Sequence, residues 1–98
     1  MARKKKIPKG WTEGSVQELL DLSDDEMAIV EMRVRLAERV REKRRDRRIT
    51  QKELARRIES TQPRIARLEH ADASIEMLIR ALFALGSNRK EIGKLLAA

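Results

Sequence analysis

A helix-start signal recurs along this chain and constrains its fold more than any other feature. In this signal a Ser, Thr or Asn is followed three residues later by Glu, and the two side chains cap each other's free backbone N–H groups. It occurs at Ser15/Glu18, Ser23/Glu26, Thr50/Glu53 and Asn88/Glu91. The apolar residues between these points follow helical spacing, and no stretch alternates as a strand would. The sequence therefore predicts an all-α chain.

The predicted architecture is five helices preceded by a basic arm and a short extra helix. Residues 1–10, MARKKKIPKG, carry five positive charges and almost nothing to bury, which indicates an arm with an electrostatic use. The short helix follows Ser15. A long helix begins at Asp24 and has two apolar stripes, which is more than one flank of a small bundle needs, so we expect one stripe to face a partner. Ser74 and Gly86 are the predicted cap and left-handed stop of the fourth helix.

The most informative segment is RRITQKELARRIESTQPRIARLE, from Arg47 to Glu69. Thr50 caps a helix that runs from Gln51 to about Ile58. After a turn of about three residues, Thr61 caps a second helix that runs from Gln62 to about His70. Two short helices of this kind, the second carrying Gln and Arg at its exposed start, form the helix-turn-helix pattern.

Residues from about Leu36 to Gly86 resemble the Cro/repressor-type (Xre-like) helix-turn-helix family. The positions that carry this resemblance are Thr50, Gln51, Glu53, Leu54, Ala55, Thr61, Gln62, Ile65, Leu68 and Glu69. The resemblance implies a lambda repressor-like fold in which the helix after Thr61 enters the major groove of DNA. Glu59 stands where the family usually has glycine, and a left-handed backbone there would cost about 1–2 kcal/mol.

The segments on either side of this core are similar to those of the small Xre-type antitoxins that are encoded beside HigB-like ribonuclease toxins. This second resemblance implies a DNA-binding autorepressor that also binds a toxin. Surplus apolar residues precede the core, and we interpret them as a partner-binding segment. Its members are Trp11, Val16, Leu19 and Leu20. Trp11 is either a packing anchor or a hot spot for a partner.

The candidate DNA contacts divide into base readers and phosphate binders. Gln62 can bond adenine N6 and N7, and Arg64 or Arg67 can fork onto guanine O6 and N7, although a solvated polar face is the alternative. Gln51 is placed to meet a phosphate together with the free N–H groups of its helix. The predicted DNA-binding residues are Gln51, Thr61, Gln62, Pro63, Arg64, Arg67, Arg56, Arg57 and Arg48. The neighbouring basic cluster of Arg44, Arg45, Arg47 and Arg48 either binds phosphate or only solvates the surface.

Charge and residue inventory exclude several function classes. The 98 residues include 23 Lys and Arg against 16 Asp and Glu, and the net charge of +7 favours a nucleic acid or an acidic surface as partner. There is no Cys and one His, and we find no glycine-rich phosphate loop and no metal-ligand spacing. The sequence therefore predicts neither an enzyme nor a metal or cofactor site. Glu69 is expected to pair with an arginine rather than to do chemistry.

Together with the helix-turn-helix resemblance, these observations predict a sequence-specific transcriptional repressor that binds an inverted-repeat DNA operator as a homodimer. The resemblance of the flanking segments implies an antitoxin role that autoregulates its operon, which is the narrower hypothesis. The rival hypotheses are a toxin-neutralising interaction module with weak or non-specific DNA binding, and non-specific binding of the nucleoid type. Residues 1–22 are predicted to form the arm and short helix, and residues 23–98 the DNA-binding domain. No apolar run is long enough for a membrane span, so we expect a cytoplasmic protein.

Overall fold

A computed structural model describes residues 17–98. Regular secondary structure in this range is entirely helical, which confirms the all-α prediction. The helices are α1 (Asp24–Asp46), α2 (Gln51–Arg57), α3 (Gln62–Leu68), α4 (Ile75–Ala84) and α5 (Arg89–Ala97). Residues 17–19 are also helical. The predicted basic arm and the Ser15 cap lie outside the described residues.

The chain divides into two compact units, Met1–Glu31 and Met32–Ala98. In the first unit, Gln17 Nε2 donates to the Leu22 carbonyl at 3.1 Å. Ser23 and Glu26 form the predicted reciprocal cap, because the Glu26 N–H donates to Ser23 Oγ at 3.3 Å and the Ser23 N–H donates to Glu26 Oε1 at 2.9 Å. These bonds begin α1 at the predicted position. The domain boundary after residue 22 stays a prediction.

The helices of the second unit also begin at side-chain caps. Thr50, Thr61, Ser74 and Asn88 each accept a hydrogen bond from the backbone N–H three residues further on. The glutamates of two of these signals are used elsewhere, since Glu53 pairs with arginines of α2 and Glu91 pairs with Lys43 and Arg39 of α1. Position in the signal therefore predicted where the helices start, but not the partners of these carboxylates.

Helices α1 to α4 all end in the same arrangement, a left-handed residue followed by a residue whose N–H reaches back to the carbonyl five positions earlier. The left-handed residues are Arg48 (φ 56°), Glu59 (φ 55°), Ala71 (φ 64°) and Gly86 (φ 94°). The reaching bonds are Ile49 to Arg44 at 2.9 Å, Ser60 to Ala55 at 2.8 Å, Asp72 to Arg67 at 2.9 Å and Ser87 to Leu82 at 2.9 Å. The predicted stop at Gly86 is confirmed. Glu59 does adopt the left-handed backbone that the family's glycine would favour.

The core of the second unit holds α2 and α3 in place. Its largest fully buried side chains are Leu36, Val40, Leu54, Ile65, Leu68, Leu78, Leu82 and Leu85. The short helices α2 and α3, of seven residues each, are too short to persist alone and depend on this burial. Leu54 anchors α2, and Ile65 and Leu68 anchor α3, so the opposite faces of both helices point to solvent.

Candidate nucleic-acid interface

The exposed surface of α3 is polar and cationic. Its residues Gln62, Pro63, Arg64 and Arg67 are exposed, whereas the intervening Ile65 is buried in the core. This separation follows from the helical period of 3.6 residues, which places the apolar positions on one face and the polar positions on the other. Thr61 Oγ1 caps the helix by accepting from the Arg64 N–H at 3.4 Å. The predicted base-reading residues therefore share one exposed face.

Two glutamines at the starts of α2 and α3 contact each other. Gln62 Nε2 donates to Gln51 Oε1 at 2.7 Å. Gln51 in turn donates from its Nε2 to Glu69 Oε1 at 3.0 Å. Gln62 is exposed and Gln51 is half-buried, so the pair leads from the surface into the domain.

Glu69 is a buried carboxylate held by a forked arginine. Arg44 Nε donates to Glu69 Oε2 at 2.5 Å and Arg44 Nη2 donates to Glu69 Oε1 at 3.1 Å, and Glu69 is only 2% exposed. Burial would raise the pKa of this carboxyl, but the hydrogen bonds from Arg44 and Gln51 outweigh it and leave the pKa below its usual value. The predicted pairing of Glu69 with an arginine is confirmed. Arg44 also donates to the Ile49 carbonyl at 2.9 Å, so its guanidinium is occupied within the fold.

The remaining predicted phosphate binders are exposed, and some are partly neutralised. Arg56 Nη2 and Arg57 Nε lie 2.6 and 3.1 Å from the same Glu53 oxygen. Hydrogen bonds from Arg56 and then Arg57 lower the pKa of Glu53. Arg48 is exposed at the left-handed stop of α1. The structure thus brings Arg56 and Arg57 together on α2 and leaves Arg48 on a separate segment.

Two open grooves flank the turn between α2 and α3 and share Ser60. The first is lined by Thr50, Lys52, Glu53, Ala55, Arg56, Ser60 and Gln62. The second is lined by Ser60, Arg64, Arg67, Leu68, Asp72, Ala73, Ser74 and Met77. Each groove is lined by two cationic side chains and one acid, Lys52, Arg56 and Glu53 in the first and Arg64, Arg67 and Asp72 in the second, so each lining keeps one net positive charge.

The predicted partner-binding residues are described only in part. Leu19 and Leu20 are 66% and 57% exposed. Trp11 and Val16 lie outside the described residues. Across residues 17–98 none of the helices combines the length and apolar character needed to cross a membrane.

A family model described as a helix-turn-helix domain matches residues 19–90, which is well over half of the chain. The chain belongs to this helix-turn-helix family. A domain of this kind indicates DNA binding and regulation of transcription, and such families are typically not enzymes. No curated protein and no solved structure matched the chain.

The predicted contact residues of α2 and α3 lie at exposed positions, except for the half-buried Gln51, but the sequence did not predict the bonds that connect Gln51 with Gln62 and Glu69. The link from Glu69 to Gln51 joins the end of α3 to the start of α2, and the bond from Gln51 to Gln62 joins the starts of the two helices. Separations of 18 and 11 residues carry no local signal, because they arise from the packing angle of two helices. The presence of an acid at the end of α3 was the only hint.

Proposed function

We propose that this helix-turn-helix protein is a sequence-specific transcriptional repressor that reads DNA bases from the N-terminal half of α3. The observation that carries this proposal is Gln62, an exposed amide at the first position of α3 that is held by Gln51. An oriented amide can make the paired hydrogen bonds that distinguish adenine in the major groove. A surface that served only to be solvated would not need such a support.

Arginine supplies the second part of the proposed reading surface. Arg64 and Arg67 lie on the same exposed face as Gln62, and neither guanidinium makes an ion pair with the described residues. Their donors are therefore free to fork onto guanine O6 and N7. Gln51, Thr61, Arg56, Arg57 and Arg48 are assigned to phosphate contacts that position α3 without reading sequence. Pro63 has no N–H to donate and is assigned to van der Waals contact with the DNA.

The test first selects the preferred binding site of the protein from a pool of random duplexes. It then compares the binding of variants to this selected site and to random DNA. Gln62→Ala and Arg64→Ala should each weaken binding to the selected site by roughly 1–3 kcal/mol and leave binding to random duplexes nearly unchanged. Arg80→Ala is the control, because Arg80 is exposed on α4 and its removal subtracts one charge without touching α2 or α3. Equal losses on both DNAs would contradict base reading.

We further propose that the repressor acts as a homodimer on an inverted repeat. One helix-turn-helix covers only a half-site, and a two-fold symmetric pair of proteins places two half-sites about 10 bp apart or at a multiple of that spacing. Hydroxyl-radical footprinting on the selected DNA measures this spacing. Protection of a single asymmetric half-site would contradict the dimer.

An antitoxin role in the cytoplasm is the narrower proposal, with a toxin-neutralising module of weak DNA binding as its rival. It rests on the resemblance of the flanking segments to antitoxins found beside HigB-like toxins, and on the two leucines exposed in the first unit. Replacing Leu19 and Leu20 by Ser should weaken binding to the ribonuclease-like product of the neighbouring gene at least tenfold, about 1.4 kcal/mol, in calorimetry. DNA affinity and melting temperature should not change. Unchanged toxin binding would exclude this site.

A further inference from the structure

A continuous line of hydrogen bonds joins the interior of the domain to the proposed base reader. It runs from Arg44 to Glu69 at 2.5 and 3.1 Å, from Gln51 to Glu69 at 3.0 Å, and from Gln62 to Gln51 at 2.7 Å. We call these four side chains the Glu69 relay. Its inner end is buried, since Glu69 is 2% exposed, and its outer end at Gln62 is exposed.

The Glu69 carboxylate at the inner end decides which group donates and which accepts in each hydrogen bond of the relay. An ionised carboxylate has only acceptor sites, so each group that meets it must present an N–H. Glu69 is kept ionised by the forked Arg44, which holds the pKa of the carboxyl below its usual value in spite of burial. The amide end of Gln51 that faces Glu69 is therefore its NH2 group.

The orientation of the Gln51 amide fixes the orientation of the Gln62 amide. Because the NH2 group of Gln51 donates to Glu69, the carbonyl oxygen of Gln51 faces Gln62. Gln62 must therefore donate to this oxygen from its own NH2 group. One N–H of Gln62 is used in that bond. The carbonyl oxygen and the second N–H of Gln62 remain for a ligand, and their relative position is set from inside the domain.

The free carbonyl oxygen and the free N–H of Gln62 complement the major-groove edge of adenine but not that of guanine. In the major groove adenine offers an N6 donor and an N7 acceptor, which the free oxygen and the free N–H of Gln62 can satisfy together. Guanine offers two acceptors, O6 and N7, so the oxygen of Gln62 would face O6 without a proton between them. A glutamine free to rotate its amide would not be restricted in this way.

We propose that Glu69, held by Arg44, is a positioning residue that acts through Gln51 to make Gln62 prefer adenine over guanine. This inference rests on the proposed function, in which Gln62 reads a base. It extends that function by assigning base preference to a carboxylate that is buried and does not contact DNA.

Replacing Glu69 by Gln reverses the direction of the relay. The new NH2 group must replace one of the two carboxylate oxygens, so one hydrogen bond from Arg44 is lost. Loss of the bond to Oε1 costs less, because that bond is 3.1 Å long and the bond to Oε2 is 2.5 Å long. We therefore expect the NH2 group at the position of Oε1. Gln51 would then turn its oxygen inward and its NH2 group toward Gln62. Gln62 would turn its oxygen toward Gln51 and present N–H groups outward, which suits the two acceptors of guanine.

The experiment uses the full chain and DNA selected from a pool of random duplexes. At the base pair where Gln62→Ala abolishes preference, the ratio of affinities for adenine and guanine is measured for the wild type and for Glu69→Gln. The ratio should fall about tenfold in Glu69→Gln, with guanine sites gaining relative to adenine sites. A loss of affinity that is the same for every base would mean that Glu69 only supports the fold, and it would overturn the inference.

Gln51→Leu tests the relay independently, because it removes the bonds to Glu69 and Gln62 and leaves the Arg44–Glu69 pair intact. It should also lower the adenine-to-guanine ratio about tenfold, and Glu69→Gln should have no further effect on the ratio in the Gln51→Leu background. Additive effects of the two changes would overturn the relay. If Glu69→Gln fails to fold by circular dichroism, an unchanged ratio in Gln51→Leu alone overturns it.

Failure of the proposed function gives a different result. If selection returns no preferred sequence, or if Gln62→Ala changes no base preference, then base reading by Gln62 is wrong and the relay is wrong with it. If Gln62→Ala removes a preference that Glu69→Gln and Gln51→Leu both leave unchanged, the relay alone is wrong.

Discussion

Gly86 shows what a left-handed helix stop demands of a single residue. Its φ is +94°, and a Cβ built on it would lie 2.8 Å from Arg47 Nη1 and 3.0 Å from Arg47 Nη2. The absence of a side chain therefore permits the left-handed backbone without strain, whereas the nearby guanidinium is the far end of an exposed side chain that can move aside.

Gly86→Ala should lower the free energy of unfolding by about 1–2 kcal/mol, since alanine meets the left-handed strain. Urea denaturation measures the change. Gly93→Ala is the matched control, because Gly93 lies within α5 and a Cβ there meets nothing within 4 Å. Alanine at that position should raise the free energy of unfolding by roughly 0.5–1 kcal/mol. If both variants changed the free energy of unfolding in the same direction, Gly86 would not be a position that requires glycine.

Glu59 meets the same demand without the advantage of glycine. Its φ of 55° carries the left-handed penalty of about 1–2 kcal/mol, whereas glycine at this position would lose about 0.5–1 kcal/mol in chain entropy. Glu59→Gly should therefore stabilise the domain by roughly 0.5–1 kcal/mol in thermal or urea unfolding. Lys94→Gly, at an exposed position within α5, should instead destabilise it by about 1 kcal/mol. A destabilised Glu59→Gly variant would show that the glutamate side chain has a contact worth more than the strain.

At the scale of elements, α5 is attached to α1 by charge as well as by apolar packing. Lys43 of α1 is 9% exposed, and its Nζ lies 2.8 Å from both Ser87 Oγ and Glu91 Oε1. Arg39 Nε, one turn earlier on α1, donates to the other oxygen of Glu91 at 2.8 Å. A buried ammonium needs such a partner, so loss of Glu91 would leave Lys43 with the Ser87 hydroxyl.

This attachment should weaken in acid. Hydrogen bonds from Lys43 and then from Arg39 lower the pKa of Glu91 to about 2, from an ordinary value of 4.5. Because the folded pKa is the lower one, the stabilisation is fully present above the unfolded value and is lost as the pH falls from about 5 toward 2. We expect Glu91→Gln to cost roughly 1–2 kcal/mol at pH 7 and to flatten the decline in stability below pH 5.

Urea unfolding of both proteins between pH 7 and pH 2.5 measures this difference. Glu76→Gln is the control, because among residues 17–98 Glu76 makes only an exposed pair with Arg80 on α4 at 3.2 Å. It should shift stability by a few tenths of a kcal/mol and leave the pH profile unchanged. A Glu91→Gln profile parallel to that of the wild type would mean that the pair contributes nothing to acid sensitivity.

For the whole molecule, the net charge of +7 is spread unevenly, since five positive charges fall within residues 1–9. If this segment meets the DNA backbone, deleting it should reduce the slope of log affinity against log salt concentration by about 0.9 for each phosphate that the segment neutralises. Base preference in the selected site should stay the same. Titrations at several salt concentrations measure the slope, and an unchanged slope would mean that these residues do not touch DNA.

The sequence by itself determined the features that depend on neighbours along the chain. Caps at Ser23, Thr50, Thr61 and Asn88 place the starts of four helices because a side chain reaches a backbone N–H only three residues away. Apolar spacing identified the buried faces of α2 and α3, and so the exposed face that carries Gln62. The stops at Arg48 and Ala71 were not predicted, since neither residue shows the glycine that usually marks a left-handed position.

The tertiary structure alone decided which charged and polar groups meet. Glu53 and Glu91 occupy equivalent places in the same local signal, yet one pairs within its own helix and the other bridges to α1. Arg44 belongs to a run of arginines on α1, but only packing places it on the buried Glu69 and connects that carboxylate to the glutamines. The physical reason is that caps and periodicity are set over one helical turn, whereas these pairs are set by how separate helices pack.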